Sequence, residues 1–469
     1  MRSRLRSRLL SGLAAVLVAG AAVLVTAAPA SAHVVPSTVI ALDVHSGDIT
    51  AALTLPTTDL VTASGIDVPE AGQVPAGTAE EVAAYVEDHF DVTSEAGSWT
   101  VVVDDVAATE TEQWGTGAFS AVNATATLTP PPGGDPGTDL RAFTLDYDAI
   151  VHQVITADVF VLLRSDWAAG QVSEDGSARN LGEITLDTVS GTVATLTIDL
   201  DDGSGWQGFV GMLQLGVSHI AEGTDHQLFL LTLLLPAPLL AVGRRWREAA
   251  PAGRAVRRIT AITIAFTVGH SLTLALGALG LPVPQQPVEA LIAVSILIAA
   301  AHAVRPIFSG REPLVAGFFG LVHGMAFSTT LSALDLSGGQ LALSVLGFNL
   351  GIELMQLAVV LLVLPPLVVL ARTPAYRPLR AAAAALAGVA AVGWLLDRVG
   401  LPTPLGAAAD SLALASPWLA IALWVAAAAE ILRVRPGPTG AGAGAPEEPL
   451  RALSGSPRGG AVIGDRPHR

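Results

Sequence analysis

The segment His219-Ile-Ala-Glu-Gly-Thr-Asp225-His226 puts two imidazoles and two carboxylates into eight residues, directly ahead of the apolar run Gln227-Leu-Phe-Leu-Leu-Thr-Leu-Leu-Leu. Ionisable side chains at the mouth of a membrane helix are costly to place there, and they mark an ion path or a bound metal. The chain has no cysteine, so thiolate sites and disulfides are excluded. The donors left are His, Asp, Glu, Asn and water, a set suited to borderline or hard divalent ions. On an unbroken helix, positions seven apart share a face but lie about 10.5 Å apart along the axis, too far for one ion. Gly223, between the two histidines, is a place where the helix could break, as helices do at ion sites in transporters. Either the segment is kinked and His219 and His226 hold one metal, or they belong to successive sites. Asp225 could be a ligand, or an acceptor that fixes an imidazole tautomer. A plainer reading has Thr224 and Asp225 capping a helix start, but capping does not call for paired histidines.

Five of the ten histidines fall in apolar spans: His219, His226, His270, His302 and His323. Thr263, Thr267 and His270 form one polar stripe at helical spacing, suited to helix–helix hydrogen bonding or to the continuation of a path. His302 stands at a span end with Ser295 one heptad earlier, which fits capping as well as an exit site. His323 lies beside the small-xxx-small pair Gly320 and Gly324. Asn349 and Glu353 share a face four residues apart, next to a second such pair, Gly347 and Gly351. A glutamate at that depth needs a partner, and a histidine or a metal ion is the natural one. The expected metal ligands are therefore His219, Asp225 and His226 for capture, and His270, His323, Asn349 and Glu353 for passage through the bundle.

The elements that must position these residues follow from composition. Half of the 469 residues are apolar (51%), and the net charge is −16. Arg2, Arg4, Arg6 and Arg8, an apolar run to Ala28 and Ala30-Ser31-Ala32 make a signal peptide over 1–32. Cleavage there leaves His33 as the first residue, whose amine and imidazole could clamp a metal or be an arbitrary product of processing. Residues 33–205 read as an exported domain, with Arg141, Arg164 and Arg179 against more than two dozen acidic residues. That charge serves solubility, and its field concentrates cations near the membrane surface. Strand signals cover Ser37–Leu55 (with a turn at Ser46-Gly47-Asp48), Trp99–Val106, Ala118–Leu128, Ala142–Tyr147, Val154–Leu163 and Thr192–Leu200, with one helix over Thr78–Phe90. This predicts a mainly antiparallel β-sandwich-like domain.

Residues 206–434 predict a polytopic α-helical membrane bundle of about seven spans, each needing roughly 20 residues. The spans run near Gly223–Val242, Ile259–Gly280, Val288–Val304, Leu314–Leu334, Leu341–Leu370, Ala381–Leu396 and Ser411–Leu432. Arg244 to Arg258, Arg305 with Arg311, and Arg372 to Arg380 fall in alternate loops, which places those loops in the cytoplasm and the first domain outside. The Gly/Pro/Ala-rich tail, 435–469, predicts a disordered cytoplasmic segment. The first domain has no basic stripe, so nucleic acid is excluded as a partner; the lipid bilayer and a metal ion are the partners expected.

The run Gly216-Val-Ser-His219-Ile-Ala-Glu-Gly-Thr-Asp225-His226-Gln-Leu-Phe resembles the His-x5-Asp-His signature of the HupE/UreJ hydrogenase and urease accessory proteins. Phe266-Thr-Val-Gly-His270-Ser, Val322-His323-Gly324 and Phe348-Asn349-Leu-Gly351-Ile-Glu353 follow in the order of that family. The likeness spans about Trp206 to Leu370; many members have proline where this chain has Ile220, and the preceding domain is that of the longer branch. It implies a metal permease of the cell membrane, with nickel as the cargo (zinc, cobalt or copper as alternatives) and a metalloenzyme maturation system as partner. The competing expectation is a seven-span intramembrane zinc hydrolase, with Ser271 or Ser328 assisting. A hydrolase needs the ligands converging at one depth with an open coordination position, whereas a transporter spreads them along a path. A third reading makes the first domain a sensor on a membrane anchor, against which the five embedded histidines argue.

Overall fold

The computed structural model describes residues 36–113, 117–133, 140–172, 177–278, 284–327, 331, 334, 336–401 and 403–433. The expected signal peptide, His33, Ser328 and the tail lie outside them. The first strand signal resolves into a hairpin, β1 (Thr38–Val44) and β2 (Ile49–Pro56), turning where Ser46-Gly47-Asp48 stands. Helices α1 (Thr57–Ser64) and α2 (Ala76–Asp88) follow. Then come β3 (Phe90–Ser94), β4 (Gly97–Ser98), β5 (Thr100–Gln113), β6 (Gly117–Thr129), β7 (Ala142–Tyr147) and β8 (Val159–Asp166). The last strands of this half are β9 (Arg179–Ile184), β10 (Leu186–Asp187), β11 (Thr192–Val193) and β12 (Leu196–Asp199).

Two sheets carry the domain, ordered β5-β6-β2-β1-β8-β9 and β12-β7-β3-β4. All pairings in them are antiparallel except β1 with β8, which run parallel. Alternation along β1 and β2 turns Ile40, Leu42, Leu53 and Leu55 inward, where they share one core with Phe90, Val92, Phe143, Leu145 and Tyr147 of the second sheet. The sandwich-like expectation therefore holds, with β3, β4, β9 and β10 as strands the sequence signals did not give.

The second half is helical. Its elements are α3 (Gly205–Glu222), α4 (Thr224–Leu234), a hairpin β13 (Leu239–Val242) and β14 (Arg245–Ala249), α5 (Ala252–Ala278), α6 (Gln285–Val304), α7 (Glu312–Ala326), α8 (Gly338–Leu370), α9 (Tyr376–Arg398), α10 (Pro404–Asp410) and α11 (Leu412–Arg433). Among the described residues, α5, α6, α8 and α9 are long and apolar enough to cross a membrane. They coincide with the second, third, fifth and sixth expected spans. Many of their large aliphatic side chains are exposed, Val268, Leu291, Leu361 and Val389 among them, as surfaces facing lipid would be.

Two expected spans take another form. The first, Gly223–Val242, is a helix only to Leu234; Pro236 and Pro238 follow, and Leu239–Val242 is a strand. The fourth, Leu314–Leu334, is the 15-residue α7, roughly 22 Å long, against a hydrocarbon core of about 30 Å. The seventh falls on α11.

The β domain rests on α3 and α8 through the loop after β8. Trp167 donates from Nε1 to Ser344 Oγ at 2.7 Å, both buried, and its ring packs where Gly208 leaves no room for a Cβ. Asp166, fully buried, orients this loop: it accepts from Arg141 Nη1 (3.2 Å), Arg141 Nη2 (2.7 Å) and the Ala169 amide (3.1 Å). Removing the guanidinium leaves a buried carboxylate without its counter-charge, which costs about 3–5 kcal/mol. Arg141→Leu is accordingly expected to lower the melting temperature of the solubilised protein by several degrees, measured by circular dichroism in the β region; an unchanged melt would contradict this account.

Candidate metal centre

The helix breaks where the spacing allowed it. Glu222 ends α3, Gly223 is extended (φ −66°, ψ 94°), and α4 begins at Thr224. The break folds His226 back towards His219, with ring centroids 4.5 Å apart. The segment is therefore kinked, and the two histidines are not one helical heptad apart in space. Gly223 has no room for a side chain: a Cβ would stand 2.5 Å from the His219 carbonyl oxygen and 3.1 Å from His226 Nδ1. Thr224 makes no cap, whereas Asp225 serves the first turn of α4 directly. Its Oδ1 accepts from the His226 amide (2.8 Å) and from His226 Nδ1 (2.9 Å). A carboxylate at a helix N-terminus also meets the positive end of the dipole.

The other ligands come from two helix pairs in backbone contact. On α3 and α8, a Cβ on Gly216 would overlap the Phe348 carbonyl, and one on Gly351 the Leu213 carbonyl. On α5 and α7, Gly269 meets the Gly317 carbonyl, Gly320 the Phe266 carbonyl and Gly324 the His270 carbonyl. The Gly320/Gly324 pair thus does what small-xxx-small spacing allows. His219, His270, His323 and Asn349 lie beside these crossings and face one interior.

Two triads result, sharing His226. One ligating atom each from His219, His226 and His270 lies within 4.8 Å of the others, and the same holds for Asp225, His226 and His323. Hydrogen bonds at the ends of a chain fix the tautomers. Asp225 can only accept, so His226 Nδ1 carries the proton and Nε2 is a lone pair. Ser295 donates its hydroxyl to the Ile292 carbonyl (2.7 Å), so its oxygen accepts from His323 Nε2 (2.9 Å) and His323 Nδ1 is a lone pair. His226 Nε2 and His323 Nδ1 therefore face each other as acceptors 3.3 Å apart. Two nitrogens bound at 2.0–2.1 Å to one tetrahedral ion are about 3.3 Å apart, so this edge fits a metal. His270 is fully buried, and neither of its ring nitrogens has a hydrogen-bond partner among the described residues. Burying an imidazole unpaired is costly, and a coordinated ion would offset that cost.

A family model described as HupE / UreJ protein matches residues 195–398. Over this segment the chain is similar to the HupE/UreJ family. No curated protein and no solved structure matches the chain. All seven candidate ligands lie inside the matched segment. That likeness agrees with the apolar helices, long enough to cross a membrane, that the same segment contains.

Within the matched segment, not every expected ligand joins the cluster. Asn349 faces His270 with its carboxamide, while its Nδ2 donates to the Val345 carbonyl (2.7 Å). Glu353 is partnered by a hydroxyl rather than by a histidine: Thr267 Oγ1 donates to its Oε2 at 2.7 Å. Thr267 and His270 on α5 thus meet Glu353 and Asn349 on α8, with Glu353 one turn from the cluster. His302 is elsewhere, stacked on Phe308 (3.7 Å) and accepting the Ile307 amide at Nδ1 (3.1 Å), so it ties down the loop that follows α6. Ser271, expected to assist a hydrolase, donates to the Thr267 carbonyl of its own helix (2.7 Å), and nothing in the comparisons supports that alternative.

Sequence reasoning set an entry at His219–His226 but missed Glu289 and Asp410 beside it. A cavity of about 510 Å³ opens onto His219, Asp225 and His226, lined also by Glu222, Glu289 and Asp410. Arg398 sits there too and pairs with Glu289 (2.5 Å). The signal available was Arg398, an arginine just past the expected span Ala381–Leu396, which called for a carboxylate. Because Gly223 sets the turn, Gly223→Ala is expected to weaken nickel binding to the solubilised protein by about 10–100-fold, the range for misoriented ligands. Calorimetric titration measures this, and wild-type affinity in that variant would contradict the assigned geometry.

Proposed function

We propose that this chain carries a divalent transition metal across the cell membrane, with nickel the first candidate cargo and zinc, cobalt and copper the others. The observation that supports it most directly is the run of ligands from the acidic mouth through the histidine cluster to Glu353 one turn beyond it, within the segment similar to the HupE/UreJ family. In this reading a signal peptide exports the β domain, and the arginine-rich loops, the β13–β14 hairpin among them, face the cytoplasm. The broken pair α3 and α4, the short α7 and α11 complete a seven-span bundle with the four long helices; half-helices ending at an ion site are a transporter device.

Glu222, Glu289 and Asp410 draw the cation to the mouth. His219, Asp225 and His226 take it, with Asp225 holding the His226 tautomer. His270, His323 and Asn349 complete the sphere. Glu353, freed from Thr267, offers the next oxygen one turn nearer the cytoplasm. Residues within the described part suggest no nucleotide site, so movement is passive or ion-coupled. A partner in metalloenzyme maturation would receive the ion.

Two variants test this. His226 belongs to both triads, so His226→Ala should abolish metal uptake by cells or vesicles; unchanged uptake of nickel, cobalt, copper and zinc together would refute transport through this site. Glu353→Gln leaves the cluster intact and should retain nickel binding within a few-fold while lowering uptake at least 10-fold. A Glu353→Gln protein that transports normally would remove Glu353 from the path.

A further inference from the structure

The β domain holds a second histidine cluster, outside the matched segment. His89 caps the C-terminus of α2, and Asp148 and His152 stand in the turn after β7. The turn is tight: the Asp148 amide donates to the His89 carbonyl (3.1 Å), and the His152 amide to the Asp148 carbonyl (3.1 Å). Ile150, at its centre, is fully buried at φ +71°, a conformation that β-branched residues rarely adopt, and its amide donates to Tyr85 Oη (3.3 Å). Burial of Ile150 thus forces Asp148 and His152 onto the side of His89.

The three side chains are arranged as ligands. One nitrogen of each ring and a carboxylate oxygen lie within 4.8 Å of one another. The imidazoles stack at 4.6 Å and 13°, with Tyr85 4.7 Å from His89. His89 Nδ1 donates to Asp148 Oδ1 (2.6 Å), and His152 Nδ1 donates to the Asp148 carbonyl (2.8 Å). Asp148 is thus the partner the two rings share, and a bound ion would take the place of the proton between His89 Nδ1 and the Asp148 carboxylate, since these ligands bind deprotonated. The cluster is open to solvent, with His89 27% and Asp148 41% exposed, which leaves positions for water. Asp91 and Asp146 oppose each other across β3 and β7, beside His89 and Asp148 in the chain. Like charges directly opposite destabilise a sheet, and a cation nearby offsets that.

We propose that His89, Asp148 and His152 form a binding site for a divalent transition metal ion on the β domain. Two imidazoles and one carboxylate suit zinc, nickel, cobalt or copper(II) rather than calcium or magnesium, which take oxygen ligands. The site stands independently of the transport reading: it shares no residue with the membrane cluster and can fail or hold without it.

The test uses the solubilised full-length protein, titrated with cobalt(II) by calorimetry and by its visible d–d absorption. His152→Ala should remove one bound equivalent, or weaken it at least 10-fold, in both the wild-type and the His226→Ala backgrounds. His89→Gln and Asp148→Asn, milder changes, should weaken the same equivalent while leaving the metal-free melting temperature within a few degrees. Loss of that equivalent from folded His89→Gln or Asp148→Asn protein supports the site even if His152→Ala misfolds. Unchanged stoichiometry and affinity in the folded variants would overturn the proposal, as would retention of the extra equivalent in His226→Ala/His152→Ala.

Discussion

Backbone contact between helices at glycine is the constraint on which the membrane half depends. Within lipid there is no hydrophobic drive for helices to associate, so close van der Waals packing must supply the attraction. Here α3 meets α8 at Gly216, Gly347 and Gly351, and α5 meets α7 at Gly269, Gly317, Gly320 and Gly324. The ligands are neighbours of those glycines along the chain. His219 is one turn beyond Gly216, His270 follows Gly269, His323 precedes Gly324, and Asn349 lies between Gly347 and Gly351. The depth at which the helices cross is therefore the depth at which the imidazoles converge. Any Cβ at a crossing pushes apart both the backbones and the donors they carry.

The crossings alone would bring His219, His270 and His323 to one level; the break at Gly223 adds His226. It does so by exchanging a turn of helix for a sharp corner whose exposed amides need an acceptor. Asp225 supplies one, and the same oxygen fixes the His226 tautomer. One carboxylate thus satisfies the helix start and aims the imidazole lone pair inward. The far end of the chain is fixed by Ser295, through the Ile292 carbonyl. Polar side chains in an apolar bundle are expensive, and this arrangement turns His226 Nε2 and His323 Nδ1 towards one another, where a cation could be held between them.

Much of this was legible in the sequence because it is local. The His219–His226 spacing, the Gly-xxx-Gly pairs and the polar stripe through Thr263, Thr267 and His270 are properties of one segment each. The β1–β2 hairpin was legible for the same reason, its alternation and its Ser-Gly-Asp turn being contiguous. What was hidden depended on partners distant in the chain. Hydropathy reads Gly223–Val242 as one uniform span, although Pro236 and Pro238 carried the signal for the helix end at Leu234. The partner of Glu353 was expected to be a histidine or metal, and only the antiparallel register of α5 and α8 puts Thr267 there. The Glu289–Arg398 pair joins the start of α6 to the end of α9, and the His89–Asp148–His152 cluster joins α2 to the turn after β7; no sequence window holds both sides of either.

The two halves of the chain meet on the helix pair that matters most for the cluster. The Trp167 loop sits against Gly208 and Gly211 of α3 and Ser344 of α8. Gly211 is eight residues from His219, roughly 12 Å along the helix, and Ser344 is five from Asn349. Helices packed at glycine are stiff elements, since no side chain intervenes to repack. The buried Arg141–Asp166 pair that shapes the loop therefore holds, at one remove, the angle at which α3 and α8 cross. A β domain tied only by a linker would leave that crossing to the bundle alone. By docking where α3 begins, it fixes the end of the helix opposite to the break, so the corner at Gly223 turns on a rod held at its far end.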